Sequence, residues 1–102
     1  MADRDLIAHR YRKRPIVIEA VQWTGENLAD LRLWTGGNFD FIDPEDRTDD
    51  GDATGQVFVD ANGVWIPVEP GEWIIRDSKG FYPCKPDVFA QTYEPAEVTD
   101  HA

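Results

Sequence analysis

Only a few side chains of this sequence are suited to covalent chemistry. The single cysteine, Cys84, is followed by Lys85, whose positive charge would lower the pKa of the Cys84 thiol. A helix beginning at Pro86 would lower this pKa further. A catalytic thiolate also needs a general base, and the only histidines are His9 and His101, close to the two ends of the chain. We therefore interpret Cys84 as a small packing residue, and we expect a protein that is not an enzyme.

The acidic stretch at residues 43–54 does not fit the calcium-binding loop of an EF-hand. Six of its twelve residues are acids, and an alignment would have to start at Asp46. That alignment places Val57 at the twelfth position, where a bidentate Glu is required. Structural zinc needs three or four converging Cys or His ligands, and the sequence offers one cysteine and two terminal histidines. We predict a solvent-exposed loop, no metal site and no cofactor.

Charge is distributed unevenly along the chain. Residues 1–14 contain five bases and two acids, a local charge of +3, whereas residues 15–102 contain five bases and 18 acids, a local charge of −13. The arginines and the Tyr11 ring of the basic segment could hold a phosphate or carboxylate and a stacked base. Alternatively, the segment neutralises the acidic body of its own or a neighbouring subunit. The net charge of −10 argues against a general nucleic-acid-binding protein, because such binding depends on many Lys and Arg contacts with phosphates.

Hydrophobic periodicity predicts short strands joined by turns. The sequence favours strands at residues 15–23, 38–42, 56–60, 64–69, 72–76 and 81–82. Both faces of residues 15–23 are largely apolar, which indicates a central strand. Asn62-Gly63 predicts a hairpin. Pro67 predicts that the second arm of this hairpin lies at a sheet edge, because proline cannot donate to a central ladder.

Together these elements predict one α+β domain. A helix at residues 28–35 follows the first strand, with Asn27 as its N-cap and Gly36-Gly37 at its end, and a helical turn covers residues 86–93. Since most strands are linked by hairpin turns, we expect a small antiparallel sheet or half-open barrel of five to six short strands. The 102 residues divide into a basic N-terminal segment (1–14), a single domain (15–95) containing the acidic loop (43–54), and a polar tail (96–102).

Two stretches stand out as motifs: YRKRPIVIEAVQWTGEN at residues 11–27 and PGEWIIRDSKGFYPCKPDVFAQTYEP at residues 70–95, together 43 of the 102 residues. They resemble the two ends of a family of small proteins from tailed bacteriophages and prophages. The sequence departs from that pattern at Glu72, where Asp is usual, at Asp77, where Gly is usual, and before Phe81, where a Glu is missing. The resemblance implies a phage-encoded accessory protein in the host bacterial cytoplasm, and it implies no catalytic residue.

We therefore predict a small, non-enzymatic phage protein that acts by binding, in counter-defence or host takeover, and that forms a homo-oligomer. Its partner would be a host protein or a small anionic ligand such as a nucleotide. No membrane is expected, because no apolar run approaches the roughly 20 residues that span a bilayer. Basic side chains would hold the negative charge, aromatic rings would stack, and Asp87 would cap the turn after Cys84. The candidate ligand-binding residues are Arg12, Lys13, Arg14, Trp23, Lys79, Tyr82, Lys85 and Asp87.

Two other functions stay open. The chain could be a minor virion or assembly component whose exposed tryptophans pack against other phage proteins, since tryptophan is favoured at interfaces. It could also be an enzyme that depends on Cys84 as its nucleophile.

Overall fold

The protein has an α+β fold of six strands and two helices within residues 8–47 and 51–96, the part of the chain that the computed structural model describes. The strands are β1 (Glu19–Gln22), β2 (Phe39–Phe41), β3 (Gly55–Val59), β4 (Val64–Val68), β5 (Trp73–Asp77) and β6 (Gly80–Cys84). The helices are α1 (Leu28–Thr35) and α2 (Pro86–Thr92), and a 3-10 turn covers Pro44–Asp46. Residues 1–7 of the basic segment, 48–50 of the acidic loop and 97–102 of the polar tail lie outside the described residues.

The strands form two three-stranded antiparallel sheets, in the orders β1-β5-β6 and β2-β3-β4. The predicted α+β class and both predicted helices are confirmed, but the expectation of one sheet or a half-open barrel is wrong. The reason is that α1 carries the chain from the first sheet to the second, and residues 69–72 carry it back. Each sheet thereby buries one face against the same core.

Local turn signals are confirmed in the second sheet. Gly63 adopts a φ of 68°, which favours glycine, and its N–H donates to the carbonyl of Val59 at 2.8 Å. This closes the β3–β4 hairpin that Asn62-Gly63 predicts. β4, which contains Pro67, lies at the edge of the sheet as expected.

β1 is shorter than predicted and lies at an edge. It pairs with β5 from Glu19, opposite Arg76, to Gln22, opposite Trp73. β5 ends at Asp77, one position beyond Arg76, because the chain turns there to begin β6. Ile18 therefore lies opposite the last residue of β5, residues 15–17 run past the end of that strand, and residues 15–18 have no ladder partner within the described residues. These residues are therefore not buried, although most of them are apolar.

The central strand of the first sheet is β5, not the predicted strand at residues 15–23. Successive side chains of a strand point to opposite faces, and the consecutive Ile74 and Ile75 are both at most 1% exposed. β5 therefore has a buried residue on each face, which is typical of an inner strand.

The core is shared by the two sheets and α1, and its buried members are Trp23, Leu31, Phe39, Val57, Val59, Val68 and Ile74. The Trp23 ring centroid lies 4.9 Å from that of Phe39, and Nε1 of Trp23 donates to Oγ1 of Thr54 at 3.1 Å. Gly55 passes so close to this pair that a Cβ there would lie 2.6 Å from Cζ of Phe39. Only glycine fits at this point of β3.

α1 begins and ends where the sequence predicts. Gly36 has a φ of 66°, and its N–H donates to the carbonyl of Leu33, which ends the helix. Asn27 is the N-cap residue, but its side chain makes no cap hydrogen bond. Its Oδ1 accepts the Thr24 N–H and its Nδ2 donates to the carbonyl of Gln22, so the side chain fixes the turn between β1 and α1. Neither α1 nor α2, nor any other helix in residues 8–47 and 51–96, is long and apolar enough to cross a bilayer.

Candidate functional site

The predicted ligand-binding residues do not form one site. Lys79 lies in the turn before β6 and Lys85 directly follows β6, so about 20 Å of extended chain separates the two side chains. Arg12, Lys13 and Arg14 precede β1 and are exposed. The eight residues are therefore distributed over different parts of the domain.

Trp23 does not offer a ring face to a ligand. It is 0% exposed, packs against Phe39 and Phe41, and uses its indole N–H to bond Thr54. Its predicted stacking role is wrong because the ring fills the space between β2, β3 and the first sheet. Core packing is the ordinary role of a tryptophan beside a strand.

Lys85 is paired with a buried carboxylate. Its Nζ lies 3.5 Å from Oε2 of Glu72, whose side chain is 7% exposed, and the same oxygen accepts the backbone N–H of Glu69 at 3.1 Å. A buried carboxylate requires such partners, since an unpaired charge in the interior is costly. Lys85 therefore supports the loop at residues 69–72 rather than standing free for an anionic ligand.

Asp87 makes its hydrogen bond within its own turn of helix. Its Oδ1 accepts the N–H of Val88 at 2.9 Å in the first turn of α2. The N-cap residue is Lys85, and no side chain caps this end of the helix. The predicted role of capping the turn after Cys84 is therefore wrong in its geometry, although the carboxylate does satisfy one N–H of the first turn.

The environment of Cys84 disfavours thiolate chemistry. Burial raises the pKa of the Cys84 thiol, and the negative charges of Asp87 and Glu72 raise it further. A nucleophilic cysteine needs the opposite shift. The proximity of Lys85, which the sequence suggested as an activating charge, is offset by the carboxylate that Lys85 accompanies.

Lys13 and Arg14 line a cavity between the segment before β1 and the end of α2. The cavity has a volume of about 480 Å³ and is also lined by Pro15, Ile16, Thr92 and Tyr93. Ile16 and Tyr93 also line a neighbouring apolar cavity of about 320 Å³, whose further lining includes Ala20 of β1, Trp73 of β5 and Phe89 of α2. These two adjoining cavities are hereafter the α2 groove, which is basic at one end and mostly apolar at the other, where Glu94 also lines it.

A row of aromatic rings forms the floor and side of the α2 groove. Trp73 and Phe89 stack at 4.2 Å with an interplanar angle of 7°, and Phe89 contacts Tyr93 at 5.1 Å. Tyr82 has a raised phenol pKa, because burial and then the neighbouring Tyr93 and Asp77 disfavour its ionised form. Tyr82 is thus adjacent to the groove through Tyr93, and it does not line the groove itself.

Sequence reasoning missed Trp73, Phe89 and Tyr93 as groove residues. The signal was present, since Phe89 and Tyr93 are four residues apart and share one face of a helix. The same spacing is equally typical of aromatic residues that pack in a core. These rings line an open groove because the end of α2 lies next to the segment before β1.

The bases of the N-terminal segment have no acidic partner in the described part of the chain. The ion pairs found there are Arg32 with Asp40, Arg76 with Glu19, and Lys85 with Glu72. None involves Arg10, Arg12, Lys13 or Arg14.

A third cavity, of about 550 Å³ and outside the α2 groove, is less suited to an anion. Its lining includes Arg32, Asp40, Asp43 and Asp46. Arg32 is already bound to Asp40, and this hydrogen bond lowers the pKa of the Asp40 carboxyl. The remaining charge is negative, and within residues 8–47 and 51–96 no three Asp, Glu, His or Cys side chains are grouped to hold a metal ion.

The fold and the groove define a small α+β domain with an open cleft that is basic at one end and aromatic along its length. The sequence matches no protein-family model, and neither a curated protein nor a solved structure is found to be similar. The resemblance to small phage proteins therefore stays a prediction, and the site is argued from its geometry.

Proposed function

We propose that this chain is a non-enzymatic binding protein that holds a small anionic ligand with an aromatic or apolar part in the α2 groove. One observation carries the proposal: Lys13 and Arg14, two of the predicted binding residues, line the same cavity as Ile16 and Tyr93. The side chains that can bind negative charge and those that can contact a ring are adjacent.

The dimensions support a ligand of nucleotide size. Small-molecule sites have volumes of about 300–1,000 Å³ and combine an apolar lining with a few polar groups. The cavities of about 480 and 320 Å³ fall in this range. A phosphate would bind Arg14 and Lys13, since a guanidinium offers paired donors to phosphate oxygens. The base would lie against Tyr93 and Ile16.

The observations on Cys84 favour binding over catalysis. Its thiol has a raised pKa and lies beside the carboxylates of Asp87 and Glu72. The Cys84-dependent enzyme therefore has no supporting observation in the structure.

The biological setting rests on the two sequence motifs. We infer a phage-encoded protein that acts in the bacterial cytoplasm as a homo-oligomer, in counter-defence or host takeover, where sequestering a nucleotide-like signal would be useful. The basic end of the groove also suits an acidic segment of a host protein, which is the alternative partner.

A structural role in the virion or its assembly is the second candidate function. It is favoured by Trp65, which is 43% exposed on the edge strand β4 beside the 45% exposed Val64. The Trp65 ring contacts Phe58 at 5.5 Å, so two aromatic side chains of neighbouring strands form one surface patch. Such a patch suits packing against another protein.

Calorimetry with a panel of nucleoside monophosphates tests the proposed function, with inorganic phosphate as the probe for the anion alone. We expect binding that falls about tenfold or more in Arg14→Glu, since a lost charge-assisted pair is worth at least about 1.5 kcal/mol. Lys79→Glu is the matched control, because it makes the same charge change outside the groove. Equal affinity of Arg14→Glu and wild type, or no binding of any nucleotide in the panel, would refute the site. Detection of the protein in purified phage particles by mass spectrometry would then favour the virion role.

A further inference from the structure

The outer edge of β1 is an open strand edge. β1 is the first strand in the order β1-β5-β6, and its pairing within the described residues is with β5 alone. An edge strand presents backbone N–H and C=O groups that can pair with another strand. The opposite edge of this sheet, β6, lies close to β3 of the second sheet.

The strand edge continues into an exposed apolar segment. Ile16 and Val17 are 72% and 80% exposed, because residues 15–17 extend past the end of β5. Such a run is unusual at a free edge, since exposed apolar edges favour association. A partner strand lying along residues 16–22 would pair the backbone and cover both side chains.

The two ends of β1 carry opposite charge. Before β1 lie Arg10, Arg12, Lys13 and Arg14, which have no acidic partner among the described residues. After β1 lie the exposed Glu26 and the half-buried Glu69. The loop that contains Glu69 is held at this end by two backbone bonds: Trp23 N–H donates to Glu72 O at 2.8 Å, and Gly71 N–H donates to Trp23 O at 2.7 Å. Lys85 neutralises only Glu72 there.

We propose that a second copy of this chain pairs with β1 in the antiparallel direction, joining the two first sheets into one continuous sheet. Antiparallel pairing of β1 with itself brings the basic end of each strand to the acidic end of the other, so the strand is complementary to its own copy. This inference rests on the homo-oligomer of the proposed function and shares Ile16 and the basic segment with the ligand site, so dimerisation and ligand binding are measured separately.

Symmetry fixes which side chains meet. A two-fold axis that pairs two strands edge to edge is perpendicular to the sheet, so even-numbered residues of both copies share one face. Pairing centred on Ile18 places Ile16 opposite Ala20 and Arg14 opposite Gln22 of the second copy, so the basic residues before β1 run toward the turn of the second copy that contains Glu26. Because Ile16 and Ala20 line the α2 groove, the grooves of the two copies lie on the same side of the joined sheet.

Sedimentation analysis of wild type and two matched variants, over about a hundredfold range of concentration, tests the interface. We expect wild type to dimerise and Ile18→Lys to be monomeric, because residue 18 lies on the two-fold axis and faces its own copy, so lysines there place like charges opposite each other. Leu33→Lys is the control: Leu33 is 85% exposed on α1, away from β1, and its replacement should leave the dimer intact. A monomeric wild type, or equal association of the two variants, would overturn the proposal. Circular dichroism verifies that each variant is folded.

A charge exchange distinguishes self-pairing from other contacts. Reversing Arg10 and Arg12 to Glu, or Glu26 to Lys, should each weaken the dimer by about tenfold or more, and combining all three changes should restore it. Additive weakening in the combined variant would contradict antiparallel self-pairing. Nucleotide affinity is measured on the same samples: a dimer that binds no nucleotide supports the interface and refutes only the ligand, whereas a monomer that binds nucleotide refutes only the interface.

Discussion

Replacing Lys85 with Glu should destabilise the fold rather than abolish ligand binding. Lys85 Nζ lies 3.5 Å from Oε2 of Glu72, a carboxylate whose side chain is 7% exposed. Breaking a fully buried ion pair costs about 3–5 kcal/mol, because it leaves an uncompensated charge in the interior. The Lys85 side chain is 62% exposed, so solvent screens part of this loss, and we expect the free energy of unfolding to fall by about 1–3 kcal/mol.

Urea denaturation followed by tryptophan fluorescence measures this effect. The midpoint of Lys85→Glu should fall while the slope stays constant, since the surface exposed on unfolding does not change. Lys79→Glu makes the same charge change in an exposed turn and should leave the midpoint near that of wild type. Adding Glu72→Gln to Lys85→Glu removes the repulsion between the two carboxylates and should recover part of the loss. Equal midpoints for Lys85→Glu and Lys79→Glu would show that Glu72 does not depend on its lysine.

Three further predictions concern packing, pH dependence and thiol reactivity. Gly55→Ala should lower the free energy of unfolding by about 1–3 kcal/mol, because the new Cβ would lie 2.6 Å from the buried Phe39 ring. An unchanged melting temperature would show that the core accommodates a methyl group at this position. The contribution of Tyr82 to stability should be fully present below pH about 10 and decline as the pH rises further, because the phenol ionises in the unfolded chain before it does in the folded one. Tyr82→Phe should flatten that decline in urea midpoints measured from neutral to alkaline pH, and parallel curves would contradict the assignment. Cys84 should react with a disulfide reagent more slowly in the folded protein than after unfolding, because its thiol pKa is raised; equal rates would restore the enzyme hypothesis.

The elements that the sequence predicts correctly depend on local signals. Gly36 ends α1 through its left-handed conformation, Asn62-Gly63 forms a hairpin, and Pro67 lies on an edge strand. Each of these outcomes is decided within a few residues. The pairing of β1 with β5 is different, because Gln22 and its partner Trp73 are 51 positions apart. The length of β1 is set by where β5 ends, which the composition of residues 15–23 does not reveal.

The candidate site depends on the same kind of long-range information. Lys13 and Arg14 could be proposed from their charge, but their cavity requires Tyr93, which follows α2. The role of Lys85 became apparent only with the burial of Glu72, since an acid in a turn is ordinarily exposed. Trp23 shows the opposite case: its type and position fit core packing as well as stacking, and only its complete burial distinguishes the two.

The long separation between β1 and β5 also orders the assembly of the fold. The second sheet is contained within residues 39–68, whereas the first closes only when residues 19–22 reach residues 73–77. Closing a long loop has a larger entropic cost, so we expect β2, β3 and β4 to be protected first in pulse-labelling hydrogen exchange and β1 last. The edge of β1, which would pair with a second chain, is therefore formed only when β1 pairs with β5 in the last folding step. Subunit association would then show that each monomer has completed its folding.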